Sequence, residues 1–325
     1  MVIFLASLII LINRDHISVI TGAFVLENCN HFVNKLTFLI HAGQRLVSDL
    51  ITIRRMHEMI DRKSEVKSDD EIVPIAKSWP KTGDIEFCNF SAFYKKECKP
   101  ALNSINLIIR SGEKIGIVGR TGSGKSSLAM SLMNFFTISS GKILVDGIDI
   151  SSISLDRLRS EILIIPQDIA LFSDTLRFNL DPNNEYEDKQ LIECVNEVRP
   201  NFLSKFVDGL DTELTHQGLN LSSGERQLIC LVRALLRRKR ILILDEATAN
   251  MDYKTDHFVH SLIEKYFQNT TIITIAHRLD AVMNCDRIIV LSDGNIIESG
   301  KPRHLIDDQN SFVCKLQAIE NCKVK

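Results

Sequence analysis

The chain has 325 residues, of which 45% are hydrophobic and 25% charged, and its formal net charge is −2 at pH 7. These proportions are ordinary for globular protein and leave room for one large domain with additional material. A near-neutral chain has no overall basic surface, so we expect no nucleic-acid partner. The densest basic run, residues 237–240, is interpreted as favourable charge at a helix C-terminus rather than as a polyanion site. The eight cysteines include no C-x-x-C pair, which favours a reduced, cytosol-facing protein.

Residues 1–12 are almost wholly apolar. The run is shorter than the roughly 20 residues that cross a bilayer. A signal peptide is the alternative interpretation, but no basic segment precedes the run and residues 13–16 (Asn-Arg-Asp-His) make a poor cleavage site. We therefore predict that residues 1–12 are the end of a transmembrane helix whose beginning is missing.

Residues 17–42 are long enough to span a membrane. Glu27, His31 and Lys35 recur four residues apart and form a polar stripe, which inside a bilayer must face a water-filled path or partner helices. An amphipathic soluble helix accounts for the same pattern, and the neighbouring apolar run favours a pore-lining span. Residues 43–62 continue the helical spacing as a cytosolic extension, and residues 63–83, rich in charge and holding two prolines, are predicted as a linker.

From residue 84 to residue 318, short β-branched runs alternate with helical stretches, followed by a tail over 319–325. Strands are predicted over 85–90, 105–109, 114–118, 142–145, 162–165, 241–244, 270–275 and 287–291. Helices are predicted over 125–134, 189–198, 222–238, 256–267 and 303–306. This alternation predicts an α/β layered domain with a largely parallel sheet.

Residues 119–126, called the phosphate loop below, read Gly-Arg-Thr-Gly-Ser-Gly-Lys-Ser and fit the pattern G-x-x-x-x-G-K-[ST]. The glycines let backbone N–H groups converge on phosphate oxygens, Lys125 adds a positive charge, and Ser126 can ligate Mg²⁺. The loop follows a predicted strand and opens a predicted helix, whose first N–H groups add donors. The predicted nucleotide contacts here are Gly119, Thr121, Gly122, Ser123, Gly124, Lys125, Ser126 and Ser127.

Asp245 and Glu246 end the apolar strand predicted over 241–244. Adjacent side chains of a strand point in opposite directions. One carboxylate can therefore reach Mg²⁺ while the other contacts a water molecule in line with the γ-phosphate. The apolar residues before them place the strand inside the sheet, where a carboxylate needs a cation to offset its burial.

Residues 221–225, Leu-Ser-Ser-Gly-Glu, resemble the LSGGQ signature of the ATP-binding-cassette ATPases. Other motifs of that family follow in matching order and approximate spacing over residues 84–318. The sequences of the phosphate loop and of Asp-Glu-Ala-Thr-Ala at 245–249 resemble those of the second nucleotide-binding domain of subfamily C, the multidrug-resistance-associated exporters. The resemblance implies a P-loop NTPase fold of ABC type with a helical subdomain, preceded by the last membrane helices of such an exporter.

The resemblance also implies roles at the ATP site. Ser126 and Asp245 would hold Mg²⁺, with Gln167 reaching both the metal and the attacking water. Glu246 would be the general base, which suits phosphoryl transfer because the protein mainly positions water and neutralises charge. The remaining implied nucleotide contacts are Tyr94 on the adenine, His277 on the γ-phosphate, the D-loop residue Asp252, and Ser222 and Gly224 on ATP held by an opposing domain.

The signature departs from the family pattern at two positions, because Glu225 replaces the usual Gln and Ser223 a Gly. A carboxylate beside a phosphate should weaken binding unless it turns inward. Ser222 and Glu225 also form the S-x-x-E pattern of a capping box, which would turn Glu225 toward its own helix.

The function implied by the resemblance is Mg²⁺- and ATP-dependent export of a small-molecule or anionic substrate. The partners would be transmembrane helices in a lipid bilayer, expected to be the plasma membrane, and a second nucleotide-binding domain of the same longer polypeptide, with both such domains in the cytosol. The alternatives are a non-transport ABC ATPase, against which residues 1–42 count, and a nucleotide-sensing module, against which Glu246 counts.

Overall fold

The structure, a computed structural model, describes residues 9–10, 12–14, 18–62, 73–94, 99–246, 253–276 and 278–323. Two predicted site residues, Asp252 and His277, lie outside this described part, as do most of the predicted helix over 1–12 and the first half of the predicted linker. The chain forms two compact units, Met1–Glu65 and Val66–Lys325.

The first unit contains a single long helix within its described residues, α1 (Val19–Ile60). Ser18 caps it, because the Ser18 hydroxyl accepts a hydrogen bond from the Thr21 N–H at 3.2 Å. The helix joins the predicted span and the predicted cytosolic extension without a break. Its large apolar side chains, including Phe24, Phe38 and Leu39, are exposed.

Among the residues that the structure describes, no helix is both long enough and apolar enough to cross a membrane. The span predicted over residues 17–42 therefore gains no support from the helix that contains it. The physical reason lies in the polar residues at 28–35, where Asn28, Asn30 and Asn34 interrupt the apolar run.

The second unit is built on a six-stranded sheet in the order β10-β9-β3-β8-β7-β6. Its strands are β3 (Lys114–Gly119), β6 (Ile162–Ile165), β7 (Ile241–Asp245), β8 (Thr271–Ile275), β9 (Arg287–Ser292) and β10 (Asn295–Gly300). All neighbouring pairs are parallel except β9 and β10. Residues 241–244 and 271–275 are buried throughout, as expected for central parallel strands covered on both faces. The predicted α/β domain with a largely parallel sheet is confirmed.

A second sheet is antiparallel, with the order β2-β1-β4-β5. Its strands are β1 (Ile85–Phe93), β2 (Leu102–Ile109), β4 (Thr137–Val145) and β5 (Ile148–Asp149). Parts of β1, β2 and β4 are predicted from their apolar runs, but those runs do not separate them from the parallel sheet. Asp146 and Gly147, with φ of 48° and 76°, form the two-residue turn that joins β4 to β5.

The helices of the second unit pack around the parallel sheet. Within the described residues they are α2 (Lys125–Ser131), α3 (Leu155–Glu161), α4 (Leu176–Leu180), α5 (Asp188–Val198), α6 (Ser223–Arg237), α7 (Tyr253–Tyr266), α8 (Pro302–Asp307) and α9 (Phe312–Lys323). Helices α3, α4 and α9 were not predicted, and α2 ends before the predicted residue 134. One apolar cluster joins both sheets to α2. A second joins β6 and β7 to the surrounding helices and includes Leu191, Leu228 and Phe267.

Part of the predicted linker belongs to the folded domain. Trp79 is buried, and its indole Nε1 donates to the Val145 carbonyl at 3.1 Å. The Asp146 carboxylate accepts backbone N–H bonds from Lys81, Thr82, Gly83 and Asp84 at 2.6–3.0 Å. Burial alone would raise the pKa of Asp146, but these hydrogen bonds and that from the Thr82 hydroxyl outweigh burial and leave the pKa below its ordinary value of 3.8. Asp146 thus ties the segment before β1 to the turn after β4.

We predict that Asp146→Asn lowers the free energy of unfolding at pH 7 by about 1–3 kcal/mol, because the amide group cannot accept all of these N–H bonds. A carboxylate with a depressed pKa stabilises the folded state fully above its unfolded-state pKa and loses that contribution as the pH falls through its folded-state pKa. Urea unfolding at pH 7 and at successively lower pH should therefore show a difference in the free energy of unfolding between wild type and variant. This difference should shrink only when the pH falls below the ordinary pKa of the carboxylate. A difference that is absent at pH 7 would contradict this role.

Candidate functional site

The predicted site residues of this domain collect where parallel strands end. We call the C-terminal ends of β3, β8, β7 and β6 the carboxyl edge. Gly119 ends β3, and Asp245 ends β7 in register with Ile275 of β8. Gln167 follows β6 by two residues and is exposed. Because neighbouring parallel strands end on the same side, the topology brings both motifs to one edge of the sheet, where α/β proteins bind their ligands.

The phosphate loop has a backbone that only glycine accommodates at two positions. Gly119 has φ of 154°, and a Cβ there would lie 2.3 Å from the Leu291 carbonyl oxygen. Gly124 has φ of 102°, and a Cβ there would lie 2.8 Å from the Ala101 carbonyl oxygen. The Ser123 N–H donates to the Arg120 carbonyl at 3.1 Å, which closes the loop upon itself. Thr121, Gly122 and Ser126 are exposed at its outer side.

Lys125 is 5% exposed, which is rare for a lysine. Its ammonium group donates to the Gly119 carbonyl at 2.9 Å and the Arg120 carbonyl at 3.2 Å. Burial lowers the pKa of Lys125, whereas the carboxylates of Glu246 and Asp245 act in the opposite direction. The ammonium of the first motif therefore lies in the field of both acids of the second motif.

Two hydroxyl groups of the loop are suited to a phosphate and its metal ion. The Ser123 Oγ is buried and has no hydrogen-bond partner within the described part of the chain, so it can still bond an incoming oxygen. The Ser126 side chain is exposed on the first turn of α2, while Asp245 is half-buried at the end of β7. A hydroxyl and a carboxylate are oxygen ligands of the kind that Mg²⁺ takes together with substrate phosphates.

Glu246 does not continue the strand. Its φ is 47°, in the left-handed region, and its N–H donates to the Ile275 carbonyl at 3.1 Å. Strand alternation, on which the predicted separation of the two acidic side chains depends, does not extend to Glu246, because strand geometry ends at Asp245. The direction of the Glu246 side chain is set by this turn, a conformation that costs a non-glycine residue energy and often occurs at functional sites.

Tyr94 is an exposed aromatic ring held in place from two sides. It is 65% exposed, and its hydroxyl forms a 2.7 Å hydrogen bond with the Ser127 hydroxyl on α2. The Phe136 ring packs edge-on against it at 4.8 Å between centroids. A fixed, exposed ring beside the phosphate loop is suited to stacking on a nucleobase. Phe136 was not predicted, and no sequence pattern separates it from other core-facing aromatics.

The signature, residues 221–225, lies at the N-terminal end of α6. Ser222 caps this helix, and the capping box with Glu225 is complete in both directions. A Cβ on Gly224 would meet no atom within 4 Å, so this surface is open. Within the described residues, no hydrogen bond joins the signature to the phosphate loop of the same domain. Ser223 and Gln167 line one cleft of about 420 Å³.

The Glu225 carboxylate turns inward, the alternative that the sequence left open. It accepts the Ser222 N–H at 2.9 Å and pairs with the Lys205 ammonium at 2.9 Å. Burial would raise the pKa of Glu225, but the Lys205 and Ser222 hydrogen bonds prevail and lower the pKa. Lys205 lies 20 residues before Glu225, and no motif predicts the contact.

The basic run at 237–240 has the predicted structural explanation. Arg237 lies in the last turn of α6, and Arg238 caps the helix in the left-handed conformation. Lys239 pairs with Glu161 at 3.0 Å. Arg237 and Arg238 thus lie at the helix C-terminus, where positive charge is favourable, and both side chains are exposed.

Residues 102–249 match the family model described as ABC transporter. The chain is 40% identical over 324 residues to "ATP-binding cassette sub-family C member 2" of Rattus norvegicus, which covers 99% of this chain and 21% of that protein. It is 42% identical over 283 residues to "Metal resistance protein YCF1" of Saccharomyces cerevisiae, covering 86% of this chain and 19% of that protein. The chain thus spans about a fifth of the length of these curated relatives.

The fold also matches a solved structure, described as that of a bacterial Atm1-family ABC exporter with ATP bound. The TM-score is 0.75 at 28% sequence identity, over 92% of this chain and 52% of that one. With its phosphate loop, its paired acids and its signature helix, this chain contains a nucleotide-binding domain of the ABC transporter family. Within that family the domain is of the subfamily C type, as the relative from rat indicates.

We predict that Gly119→Ala lowers the free energy of unfolding by about 2 kcal/mol or more, because the added methyl group would collide with the Leu291 carbonyl. The matched control is Gly224→Ala, where the added methyl group meets open space and alanine favours the helix more than glycine does. Guanidinium unfolding without nucleotide should leave the control within about 1 kcal/mol of wild type. Equal unfolding free energies for the two variants would show that the packing around Gly119 is not required.

Proposed function

We propose that this domain binds ATP at the carboxyl edge and hydrolyses it, as the nucleotide-binding domain of an ATP-driven exporter. The observation that carries the proposal is Lys125, a buried ammonium in a glycine loop that lies in the field of two carboxylates at the end of β7, which β8 separates from β3. Such an arrangement is costly to bury. A triphosphate with a divalent cation would take up the lysine charge on one side and the carboxylate charge on the other.

Binding of the nucleotide is assigned to the phosphate loop and Tyr94. The loop N–H groups and Lys125 would hold the phosphates, with Ser123 supplying a buried hydroxyl. Thr121, Gly122, Gly124 and Ser127 complete the proposed contacts. The exposed Tyr94 ring would stack on the adenine, and its hydrogen bond to Ser127 couples base recognition to the loop.

Metal binding and catalysis are assigned to Ser126 on α2 and to residues at or just after the ends of β7 and β6. Ser126, Asp245 and Gln167 would hold Mg²⁺, which when bound neutralises charge on the terminal phosphates. Glu246 would accept a proton from the attacking water. His277, outside the described residues, is proposed to contact the γ-phosphate.

The open surface of the signature supports pairing with a second nucleotide-binding domain. Ser222 and Gly224 would contact ATP held by that domain, with Asp252 at the interface, and the second domain is proposed to belong to the same longer polypeptide. The exporter would act in a membrane, proposed to be the plasma membrane, with its nucleotide-binding domains in the cytosol. A small-molecule or anionic substrate is proposed because of the likeness to subfamily C.

Two substitutions separate ATP binding from ATP hydrolysis. We predict that Lys125→Met weakens MgATP binding at least about tenfold, because a charge-assisted contact to phosphate is lost. Glu246→Gln should leave the affinity within about threefold of wild type while slowing turnover by about 10²–10⁴, the usual contribution of a general base. Isothermal titration calorimetry gives the affinity, and ADP release from the paired protein gives the turnover.

Thermal unfolding of both variants without nucleotide controls for misfolding, since Lys125 also bonds the Gly119 and Arg120 carbonyls. A folded Lys125→Met variant with wild-type ATP affinity would exclude the phosphate loop as the binding site. Unchanged turnover in Glu246→Gln would exclude Glu246 as the base.

A further inference from the structure

The acidic residue of the signature belongs to a three-residue network with Ser222 and Lys205. Glu225 Oε2 accepts both the Ser222 N–H and the Ser222 hydroxyl, each at 2.9 Å. Glu225 Oε1 accepts the Lys205 ammonium at 2.9 Å. The Glu225 side chain is 15% exposed, whereas that of Lys205 is 50% exposed. The negative charge is thus held largely inside the domain, and its counter-charge faces the solvent.

The Lys205 backbone is anchored by packing. Lys205 ends a short 3₁₀ turn, and its N–H donates to the Phe202 carbonyl. Phe202 is buried in the helical core and packs edge-on against Phe206 at 5.3 Å between ring centroids. The Lys205 ammonium therefore reaches Glu225 from a backbone position that packing fixes on a neighbouring segment.

The hydrogen bonds determine what Ser222 can offer a ligand. A serine hydroxyl has one proton, and an ionised carboxylate only accepts. The Ser222 proton therefore points to Glu225, and the Ser222 oxygen also accepts the Glu225 N–H at 3.3 Å. In this arrangement the Ser222 hydroxyl proton is directed to Glu225, and the nearest full charge on its own helix is negative.

We propose that Lys205 is a positioning residue of the signature, which holds the Glu225 carboxylate inward and offsets its charge so that the surface accepts the triphosphate of a partner domain. This inference rests on the proposed function, because it requires paired nucleotide-binding domains. Without Lys205, the carboxylate would be uncompensated beside the incoming phosphate. With Gln at position 225, there would be no charge to offset.

The test uses the full chain carrying Glu246→Gln, so that MgATP is bound but not consumed, with a second copy of the chain as the partner domain. Analytical ultracentrifugation in detergent gives the MgATP concentration for half-maximal association, and binding of a fluorescent ATP analogue at low protein concentration gives the affinity of the chain's own site. The variants are Lys205→Met, Lys205→Arg, Glu225→Gln and the double variant Lys205→Met/Glu225→Gln.

Lys189→Met is the matched charge control. Lys189 is exposed in the first turn of α5. This turn lies near the end of α6 opposite the signature, since the hydroxyl of Tyr186, two residues before α5, donates to the Leu236 carbonyl. Lys189→Met therefore removes one positive charge from the domain, as Lys205→Met does, without changing the network of Ser222, Glu225 and Lys205.

We expect Lys205→Met to raise the half-maximal MgATP concentration about threefold to tenfold, the coupling found for contacting charged pairs. Lys205→Arg and Lys189→Met should stay within about twofold of the parent. Glu225→Gln should lower the concentration, and in that background Lys205→Met should change it by less than about twofold. The affinity of the chain's own site should not change in any variant.

An equal effect of Lys205→Met in both backgrounds, or no effect in either, would overturn the role of Lys205 while leaving the proposed function intact. Failure of the Glu246→Gln parent to bind the ATP analogue would instead overturn the proposed function, and this inference with it.

Discussion

The architecture of the second unit depends on the charge balance around one buried lysine. Lys125 lies under the phosphate loop, where solvent cannot stabilise its ammonium, so two loop carbonyls and the acids at the end of β7 must do so. This balance requires β3 and β7 to end at the same level of one sheet, separated only by β8. The parallel strand order satisfies that requirement.

The second constraint is the close approach of backbone segments around the loop. Leu291 at the end of β9 and Ala101 before β2 leave no room for a Cβ on Gly119 or Gly124. The loop is therefore supported by both sheets, and Gly294 adds an N–H bond to the Ser123 carbonyl at 3.0 Å. The antiparallel sheet thus contributes to the site although none of its own strand residues is assigned a chemical role.

Patterns with a local physical cause predicted the fold and much of the site. Uninterrupted apolar runs predicted β6 and β7 nearly to the residue, because strands of a parallel sheet that is covered on both faces are apolar throughout. The capping box at Ser222 predicted the start of α6, because the Ser222 and Glu225 side chains bond N–H groups that the first turn of a helix leaves unpaired. The missed β10 follows the turn Asp293–Gly294, with φ of 48° and 76°, and the Asp-Gly pair is a hairpin signal that the sequence does contain.

What the sequence could not predict depends on tertiary contacts. The left-handed turn at Glu246 follows from its bond to β8, and the inward position of Glu225 follows from a lysine on a different segment. The division into two sheets depends on long-range pairing of β1 with β4, which a strand pattern does not specify. The polar residues of α1 were assigned to a membrane span by association with the preceding apolar run, not by hydropathy, and the described helix does not support that assignment.

The most direct test of the central claim is amide hydrogen exchange of the full chain with and without MgATP. The account predicts slower exchange for residues 119–127 and for the residues that end β7, with little change in β1, β2 and β4. Slower exchange confined to another surface, or unchanged exchange at saturating MgATP, would contradict a nucleotide site at the carboxyl edge.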